Sequence, residues 1–448
     1  KMRTIAILLF FGLLHAFVLA GEPAPDYNQY WPHWRGPLAT GAAPFGNPPV
    51  EWSEDKNIRW KIELPGAGHA TPVIWKDHIF ILTAVATEQP GDSQKIAAAR
   101  DRQPPWMRRR GVQPSYVQEF AILAIHREDG RVVWQRVLRQ ELPHEGTHPT
   151  ASWASNSAVT DGDVVFAYFG SRGLFCLNLQ GKLLWQTDLG DMTTRNGFGE
   201  GSSPALYGEV VVVNWDHEGQ SFIVALDKQS GRQLWKKDRD EVTSWSSPII
   251  VEVDGSPQVV INATGRTRGY DLATGEVVWE VGGMTVNTIP SPVHRDGLVF
   301  VTSGFRGSML QAIRLAGAKG DLSTSASLVW QHERDTPYVP SPLLYGDFLY
   351  FVKVNKGVLS CFSASRGQPY YGPERLDGIA NIYASPVGAA GRVYLTGRAG
   401  TTVVLEQDPE FKVLATNTLE DDFDASPAIV GNELYLRGHR ALYCVAAE

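Results

Sequence analysis

Cysteine is scarce in this chain, which has three cysteines among 448 residues. Cys176, Cys361 and Cys444 occupy one equivalent position of a repeated strand, in the segments LFCL, LSCF and LYCV. This placement predicts small core residues on separate strands, so we expect no disulfide framework.

Basic residues do not outnumber acidic ones. The 41 Lys and Arg against 48 Asp and Glu give a formal net charge of −7, and the pI is about 5.9. An acidic chain gives no sign of the basic surface that binds nucleic acid or an anionic membrane, so we expect neither partner.

Long apolar runs are missing beyond the first twenty residues. Residues 1–20 join the basic Lys1 and Arg3 to an apolar run that ends in Val-Leu-Ala. This pattern predicts a secretory signal, and therefore a chain exported to the periplasm or the extracellular space. At about 15 residues the run is short for a membrane span, although an uncleaved anchor is the alternative. No other segment approaches that length, so we expect no transmembrane span after signal removal.

What the chain does contain is a repeat of short β segments. Ser202–Trp235 shows the unit, in which runs of Val, Ile, Phe and Leu are separated by turns rich in Gly, Asp and Asn. Six copies, 41 to 50 residues apart, carry a phase-marking proline at Pro204, Pro248, Pro292, Pro342, Pro386 and Pro427. Two earlier copies, with Pro72 in HATPVI and Ser157 in the proline slot of ASNSAV, bring the total to eight.

Most repeats end in a turn followed by an aromatic residue. The tryptophans at this place are Trp134, Trp185, Trp235, Trp279 and Trp330. A period of this length with about four strands per unit is typical of β-propeller blades, and no unit has the amphipathic helix of a leucine-rich or ankyrin repeat. We therefore predict an all-β, eight-bladed propeller of four-stranded antiparallel blades, with the tryptophans wedged between blades.

The two ends of the chain complement each other. The last repeat stops shortly after Cys444, before its fourth strand, whereas Asn57–Gly66 reads as a fourth strand with Trp60 and no blade before it. We expect this N-terminal strand to complete the eighth blade, because closing the ring removes its open edges.

The repeats divide the chain into three segments. After the signal (1–20) comes a Pro-, Gly- and Trp-rich lead-in (21–56) that we expect to pack on the propeller, and then a single propeller domain (57–448). Blade 1 carries an Arg-rich insertion at 84–116, which is interpreted either as a mobile surface loop or as a lid or partner-binding arm.

The segments ALDKQSGRQLW, YDLATGEVVW and AIHREDGRVVW resemble the repeats of pyrroloquinoline quinone (PQQ) dehydrogenases and of BamB-like assembly-factor propellers. With WPHWRGP and DRDEVTSWSSP, the whole pattern resembles the exported bacterial propellers described as PQQ-binding-like. The likeness covers about residues 57–448 and implies the fold. It does not decide activity, because enzymes and scaffolds share this packing motif.

The resemblance also implies where a cofactor would bind. The dehydrogenases hold Ca²⁺ with a Glu and an Asn, which Glu218 and Asn262 match. Their catalytic Asp lies in the loop between blades that reads TVNTIPSP in this chain, with Asn287 and no acid. Their adjacent Cys pair is absent, as is the CxxCH motif for haem attachment. The resemblance therefore leaves PQQ with Ca²⁺ as an alternative cofactor and makes dehydrogenase activity unexpected.

Residues 144–148 (HEGTH) match the HExxH pattern of zinc proteases. That chemistry needs both histidines on one face of a helix, which Pro143, Gly146 and Pro149 oppose. We expect a loop at the channel mouth and no metal site.

Propeller topology predicts a site better than any motif. The connections between blades emerge on the same face as those between second and third strands, and the predicted ligand-binding residues at this funnel mouth are His69, Trp153, Glu200, Trp245, Tyr338, Tyr383, Asp424 and Arg266. Cations expected around them are Arg172, Arg266, Arg268, Arg306, Lys353, Arg398 and Arg440. Such a ring of basic and aromatic side chains suits an anionic or sugar-like ligand or an extended peptide. The alternative is a closed channel in which these side chains only form hydrogen bonds and ion pairs with one another.

Two functions follow from these observations. The first is a monomeric, non-catalytic exported propeller that needs no cofactor and binds an envelope protein, peptide or polymer through its loop-rich face. The second is a PQQ- and Ca²⁺-dependent dehydrogenase of alcohols or sugars.

Overall fold

The computed structural model describes residues 26–447, so the predicted signal (1–20) lies outside the described residues. Eight sheets follow one another around a central axis, and seven of them have four antiparallel strands. The sheet of blade 4 has a fifth strand, Gly320–Asp321, which pairs parallel with Val277–Val281. The eight-bladed, all-β prediction is confirmed. Among residues 26–447, no helix has both the length and the apolar character needed to cross a membrane.

Each blade runs from a short strand at the axis to an outer strand at the periphery. The first strands are Val73–Trp75, Val159–Thr160, Ala205–Tyr207, Ile249–Val253, Val293–Arg295, Leu343–Tyr345, Val387–Ala389 and Ala428–Val430. The second strands are His78–Pro90, Val164–Tyr168, Val210–Trp215, Ser256–Ile261, Leu298–Ser303, Phe348–Val352, Arg392–Thr396 and Glu433–Arg437.

The third and fourth strands complete the blades. The third strands are Tyr116–His126, Leu174–Asn178, Ser221–Asp227, Thr267–Asp271, Met309–Arg314, Val358–Ser363, Thr401–Glu406 and Ala441–Ala446. The fourth strands are Val132–Glu141, Leu183–Thr187, Gln233–Arg239, Val277–Val281, Leu328–His332, Pro369–Arg375, Val413–Thr418 and, for blade 8, Ile58–Glu63. The remaining elements are helices Ser93–Asp101 and Pro105–Arg110, 3-10 turns Tyr27–Gln29, Gly170–Arg172 and Arg195–Gly197, and strand Gly320–Asp321.

Burial follows from this stacking of sheets. The second strand Val164–Tyr168 is buried at every residue, whereas the fourth strand Val277–Val281 mixes exposed and buried positions. Middle strands pack against a neighbouring blade on both faces, which explains why they are continuous apolar runs. The seven main hydrophobic clusters accordingly each combine residues of neighbouring blades.

The ring is closed by the strand expected to close it. Ile58–Glu63 pairs antiparallel with Ala441–Ala446, and Trp60 lies opposite Cys444. The other two cysteines hold the same place, with Cys176 opposite Trp185 and Cys361 opposite Tyr371. All three thiols are free and buried, as predicted, because this position faces a large aromatic ring and leaves room only for a small side chain.

The Ser-Pro repeat forms a belt of hydrogen bonds between blades. The Ser203 amide donates to Ser247 Oγ at 2.8 Å, the Ser247 amide donates to Ser291 Oγ at 2.9 Å, and the same bond recurs from Thr71 round to Ser426. Ser157 accepts from the Thr71 amide in this belt, so it is equivalent to Ser203. The sequence alignment that put Ser157 in the proline slot was therefore wrong by one residue, and Ala158 occupies that slot.

The lead-in crosses the face opposite the funnel. Trp31 pairs with Ile74 of blade 1, and Ala42 pairs with Gly388 of blade 7. Between them the buried Arg35 donates to the carbonyls of Pro342 (2.8 Å) and Pro386 (3.1 Å). The segment therefore spans the ring from one side to the other, and it borders a cavity of about 500 Å³ against blades 2 to 4.

The insertion of blade 1 is an ordered arm rather than an irregular loop. Its flanking strands extend to Pro90 and from Tyr116, and the two α-helices lie between them. Gln103 and Met107 of the arm are buried, and Gln103 Nε2 donates to the carbonyl of Gly197 at 3.2 Å. The arm thus packs on the connection between blades 2 and 3.

Candidate functional site

The connections between blades surround an open cavity of about 250 Å³ on the loop-rich face. The lining residues are His69, His148, Thr150, Ala151, Ser155, Phe198, Gly199, Glu200, Gly201, Trp245, Ile289, Tyr338, Val339, Tyr383 and Asp424. Six of the eight residues predicted at the funnel mouth are among them. The fold brings these together because each directly precedes a first strand, and the first strands meet at the axis.

Two predicted residues lie elsewhere. Trp153 sits behind Glu200, beside a much smaller void, and its Nε1 donates to the Glu145 carbonyl at 2.9 Å. Arg266 reaches away from the cavity to Glu280 (3.1 Å) and Asp321 (2.9 Å). Trp153 and Arg266 therefore do not line the cavity that Trp245 lines.

The cavity wall includes four aromatic side chains, Phe198, Trp245, Tyr338 and Tyr383. Trp245 is fixed by its Nε1, which donates to the Gly199 carbonyl at 2.7 Å, and its ring lies 6.3 Å from that of Phe198. Tyr338 stacks on Phe305 at 4.8 Å, and burial raises its pKa. Three aromatic rings from separate connections therefore offer flat apolar surface to a ligand.

Glu200 is held by a short turn of blade 2. Its two carboxylate oxygens accept from the amide and the hydroxyl of Ser171, each at 2.6 Å. A side chain at Gly170, where φ is +56°, would collide with the carboxylate. Glu200 is thus oriented by its hydrogen bonds to Ser171, and its position does not depend on a ligand.

Asp424 anchors a polar cluster on the other side of the cavity. Its Oδ2 accepts from His439 Nε2 at 2.9 Å and from Arg398 Nη2 at 3.0 Å, and the rings of His69 and His439 stack at 5.3 Å. Arg398 also lies over Tyr383 at 4.7 Å.

The cluster contains opposite pKa shifts. Burial works to raise the pKa of Asp424, but the hydrogen bonds from His439 and Arg398 outweigh it and the pKa is lowered. The same bond to Asp424 raises the pKa of His439, and burial lowers that of His69 to about 4. At neutral pH, His69 is therefore an uncharged imidazole beside an ionised carboxylate.

The zinc-protease pattern forms no helix. In residues 144–148, Glu145 is buried and accepts from the Thr194 amide at 3.1 Å, while His144 Nε2 contacts the Met192 carbonyl at 2.6 Å. Burial raises the pKa of Glu145 to about 7. The segment orders the loops around the cavity, as the sequence indicated.

The expected ring of free cations is absent from the cavity lining. All seven cations lie in the described part of the chain, none lines the cavity, and six form ion pairs with carboxylates. Arg172, for example, pairs with Glu141 and Asp191. Neutralised cations give no reason to expect an anionic ligand, so the observed wall favours an apolar or aromatic one.

The residues suggested for PQQ and Ca²⁺ do not fit that group. Asn262 is fully buried, and its Nδ2 donates to the carbonyls of Pro290 (2.9 Å) and Thr302 (2.8 Å) while its Oδ1 accepts from Thr267 at 2.9 Å. Glu218 accepts from the Thr243 hydroxyl at 2.8 Å. The one side-chain oxygen of Asn262 is buried and already accepts a hydrogen bond from Thr267, so these two residues do not fit a calcium site.

The lining residues that were not predicted include Phe198, His148 and Ile289. Ile289 lies three residues before Pro292, as Trp245 lies three residues before Pro248, whereas Phe198 and His148 have no such repeat position. His439, which was not predicted either, does not line the cavity but hydrogen-bonds to Asp424. In the structure, the ring of Phe198 meets that of Trp106, in the arm, edge to face at 5.9 Å. Such contacts join parts of the chain that are distant in sequence.

Comparison with known proteins agrees with this architecture. Residues 118–371 match the family described as outer membrane protein assembly factor BamB. A protein of that name from Francisella salina is 24% identical over 249 residues, which are 51% of this chain and 41% of the relative. The chain thus matches less than half the length of that relative.

Solved structures show the same fold. The crystal structure of BamB from Moraxella catarrhalis has a TM-score of 0.56 and 15% identity, covering 86% of this chain and 98% of that one. A quinohemoprotein alcohol dehydrogenase from Comamonas testosteroni has a TM-score of 0.48 and 10% identity, covering 94% and 81%, which is too distant to bear on activity. Because the family match spans more than half of the chain, this propeller belongs to the outer membrane protein assembly factor BamB family.

Proposed function

We propose that this chain is a non-catalytic, exported propeller that holds an extended segment of a partner protein in the cell envelope. The name of its Francisella relative, an outer membrane protein assembly factor, supports a role with envelope proteins. An exported location is also the expectation from residues 1–20.

The observation that carries the proposal is the aromatic cavity on the loop-rich face. Its volume of about 250 Å³ is below the roughly 300–1,000 Å³ of small-molecule and cofactor sites. It suits one or two side chains of an extended peptide. Trp245, Tyr338 and Phe198 supply stacking surface, and the carboxylates of Glu200 and Asp424 are already hydrogen-bonded.

A binding experiment with displayed peptides tests the proposal. Peptides selected from a random phage-displayed library on the untagged chain are synthesised, and their affinities are measured by fluorescence anisotropy. We expect Trp245→Ala to weaken binding about 30-fold, equivalent to about 2 kcal/mol, as the loss of an aromatic anchor does. Folding of the variant is checked by circular dichroism.

Phe45→Ala is the matched control, because Phe45 is an aromatic residue of the lead-in, across the ring from the cavity, and is 66% exposed. Its affinity should equal that of the parent. Failure to select any peptide, or loss of binding in Phe45→Ala but not in Trp245→Ala, would contradict the proposal.

The dehydrogenase alternative has its own test. Reconstitution with PQQ and Ca²⁺ should give no bound quinone absorbance and no dye reduction with alcohols or sugars, since Asn262 is fully engaged in internal hydrogen bonds. A stoichiometric quinone spectrum would show that the chain is not a simple scaffold.

A further inference from the structure

Three metal-ligating side chains converge at the edge of the cavity. His69 comes from the connection between blades 8 and 1, Asp424 from the connection between blades 7 and 8, and His439 from the second-to-third connection of blade 8. One potential ligand atom from each lies within 4.8 Å of the others. In residues 26–447 this is the one group of three such side chains found so close together.

We infer that His69, Asp424 and His439 form a binding site for a divalent transition metal such as Zn²⁺, with a further coordination position open to the cavity. Two imidazoles and a carboxylate are the donors that zinc and its neighbours prefer, and three protein ligands leave one position for water or another ligand. This inference goes beyond the proposed peptide-binding function and does not depend on it.

The distances suit such an ion. Ligand atoms about 2.1 Å from a tetrahedral zinc lie about 3.4 Å apart. His439 Nε2 is 2.9 Å from Asp424 Oδ2, and His69 Nε2 is 4.0 Å from the same oxygen. The two distances to Asp424 thus differ from this value by about half an ångström, and all three atoms lie within 4.8 Å of one another. Shifts on the order of 1 Å bring them onto one ion, which side-chain rotation at a cavity wall can supply.

His69 is the most informative of the three. Its ring is largely buried and lines the cavity, yet 4.0 Å from Asp424 is too far for a hydrogen bond. Its imidazole therefore lies at the wall of an open cavity, where it is available to act as a metal ligand.

Arg398 orients the carboxylate without blocking it. Arg398 donates to both oxygens of Asp424, as outer hydrogen bonds to metal-binding carboxylates commonly do. An ion would replace the proton between His439 and Asp424, leaving these bonds in place. Asp421 and Asp422 add negative charge near His439, which offsets the charge of Arg398.

Isothermal titration of the untagged full chain with Zn²⁺ tests the inference. We expect saturable binding of one ion, at least tenfold weaker in His69→Ala and in His439→Ala. His439 is partly exposed, so its variant should fold even if His69→Ala does not. A zinc-edge anomalous map of soaked crystals should place the ion between the three side chains.

His126→Ala is the matched control. His126 Nδ1 lies 2.9 Å from Asp129 Oδ1 in a half-exposed His–Asp pair, outside the three-residue cluster. This variant should bind zinc like the parent. Absence of saturable binding, or equal affinity in the parent and in His439→Ala, overturns the metal site.

Discussion

Trp235 shows how a single residue holds neighbouring blades together. Its ring is 8% exposed, and its Nε1 donates to the Leu272 carbonyl of the next blade at 2.8 Å. Trp60, Trp134, Trp185 and Trp330 make the same bond to the following blade. The wedge role expected from the repeat is thus observed.

Replacing Trp235 with alanine should cost about 3–5 kcal/mol of unfolding free energy, because it leaves a cavity and an unpaired carbonyl between blades. Equilibrium denaturation measures the change. Trp106→Ala is the control, since Trp106 is 44% exposed in the arm and its loss should change stability by about 0.5 kcal/mol or less. A loss below 1 kcal/mol for Trp235→Ala would remove this residue from the core.

At the scale of elements, the turns before the fourth strands of blades 1 to 4 and 6 each place a glycine against the tryptophan of the preceding blade. Gly231 has φ of +70°, and a Cβ on it would lie 2.5 Å from the Trp185 ring. Gly181 faces Trp134, and Gly275 faces Trp235, in the same way. The repeated Gly-x-x-x-Trp pattern therefore records a contact between two blades rather than within one.

Trp279, in blade 4, has no glycine turn of the next blade against its ring. In blade 5 the third and fourth strands are joined by a longer insertion that contains strand Gly320–Asp321, and this insertion supplies no such turn. The Trp279 ring instead packs on Gly269 of its own blade, with Nε1 donating to Gln258 Oε1 at 2.9 Å.

Gly231→Ala should lower the free energy of unfolding by about 3 kcal/mol or more. The added methyl group collides with Trp185, and a residue other than glycine is also strained in the left-handed backbone conformation. Gly297→Ala is the matched control, with φ of +75° and open space around the new methyl group. The free energy of unfolding of this control should fall by only about 1–2 kcal/mol, the cost of the left-handed backbone. Equal losses in urea denaturation would mean that the ring does not constrain the turn.

At the scale of the whole molecule, closure depends on a strand from the other end of the chain. Chains starting at residue 57 and at residue 64 both lack the lead-in, but only the first keeps Ile58–Glu63. The second leaves Ala441–Ala446 as an open edge and removes Trp60, so it should be less stable by about 3 kcal/mol or more and aggregate. Light scattering and thermal melts compare the two, and indistinguishable melts would argue against closure by this strand.

The sequence determined the ring because its signals are local and repeated. The blade period, the tryptophan turns, the small residues at the cysteine positions and the unpaired strand around Trp60 each appear in the order of the chain. Each reflects a contact that recurs in every blade, so repetition compensates for the weakness of any single signal. The one-residue error at Ser157 arose where the copy lacks its proline.

Only the tertiary structure decided which side chains share the cavity and which neutralise one another. The loops of the funnel face differ in length from blade to blade, so Trp153 and Arg266 lie outside the cavity lining, Phe198 lines it, and His439 hydrogen-bonds to Asp424. The approach of His69 to Asp424 joins residues far apart in the chain, and Arg398 pairs with the same carboxylate. Side-chain direction and ion pairing depend on distances across the ring, which a linear sequence does not contain.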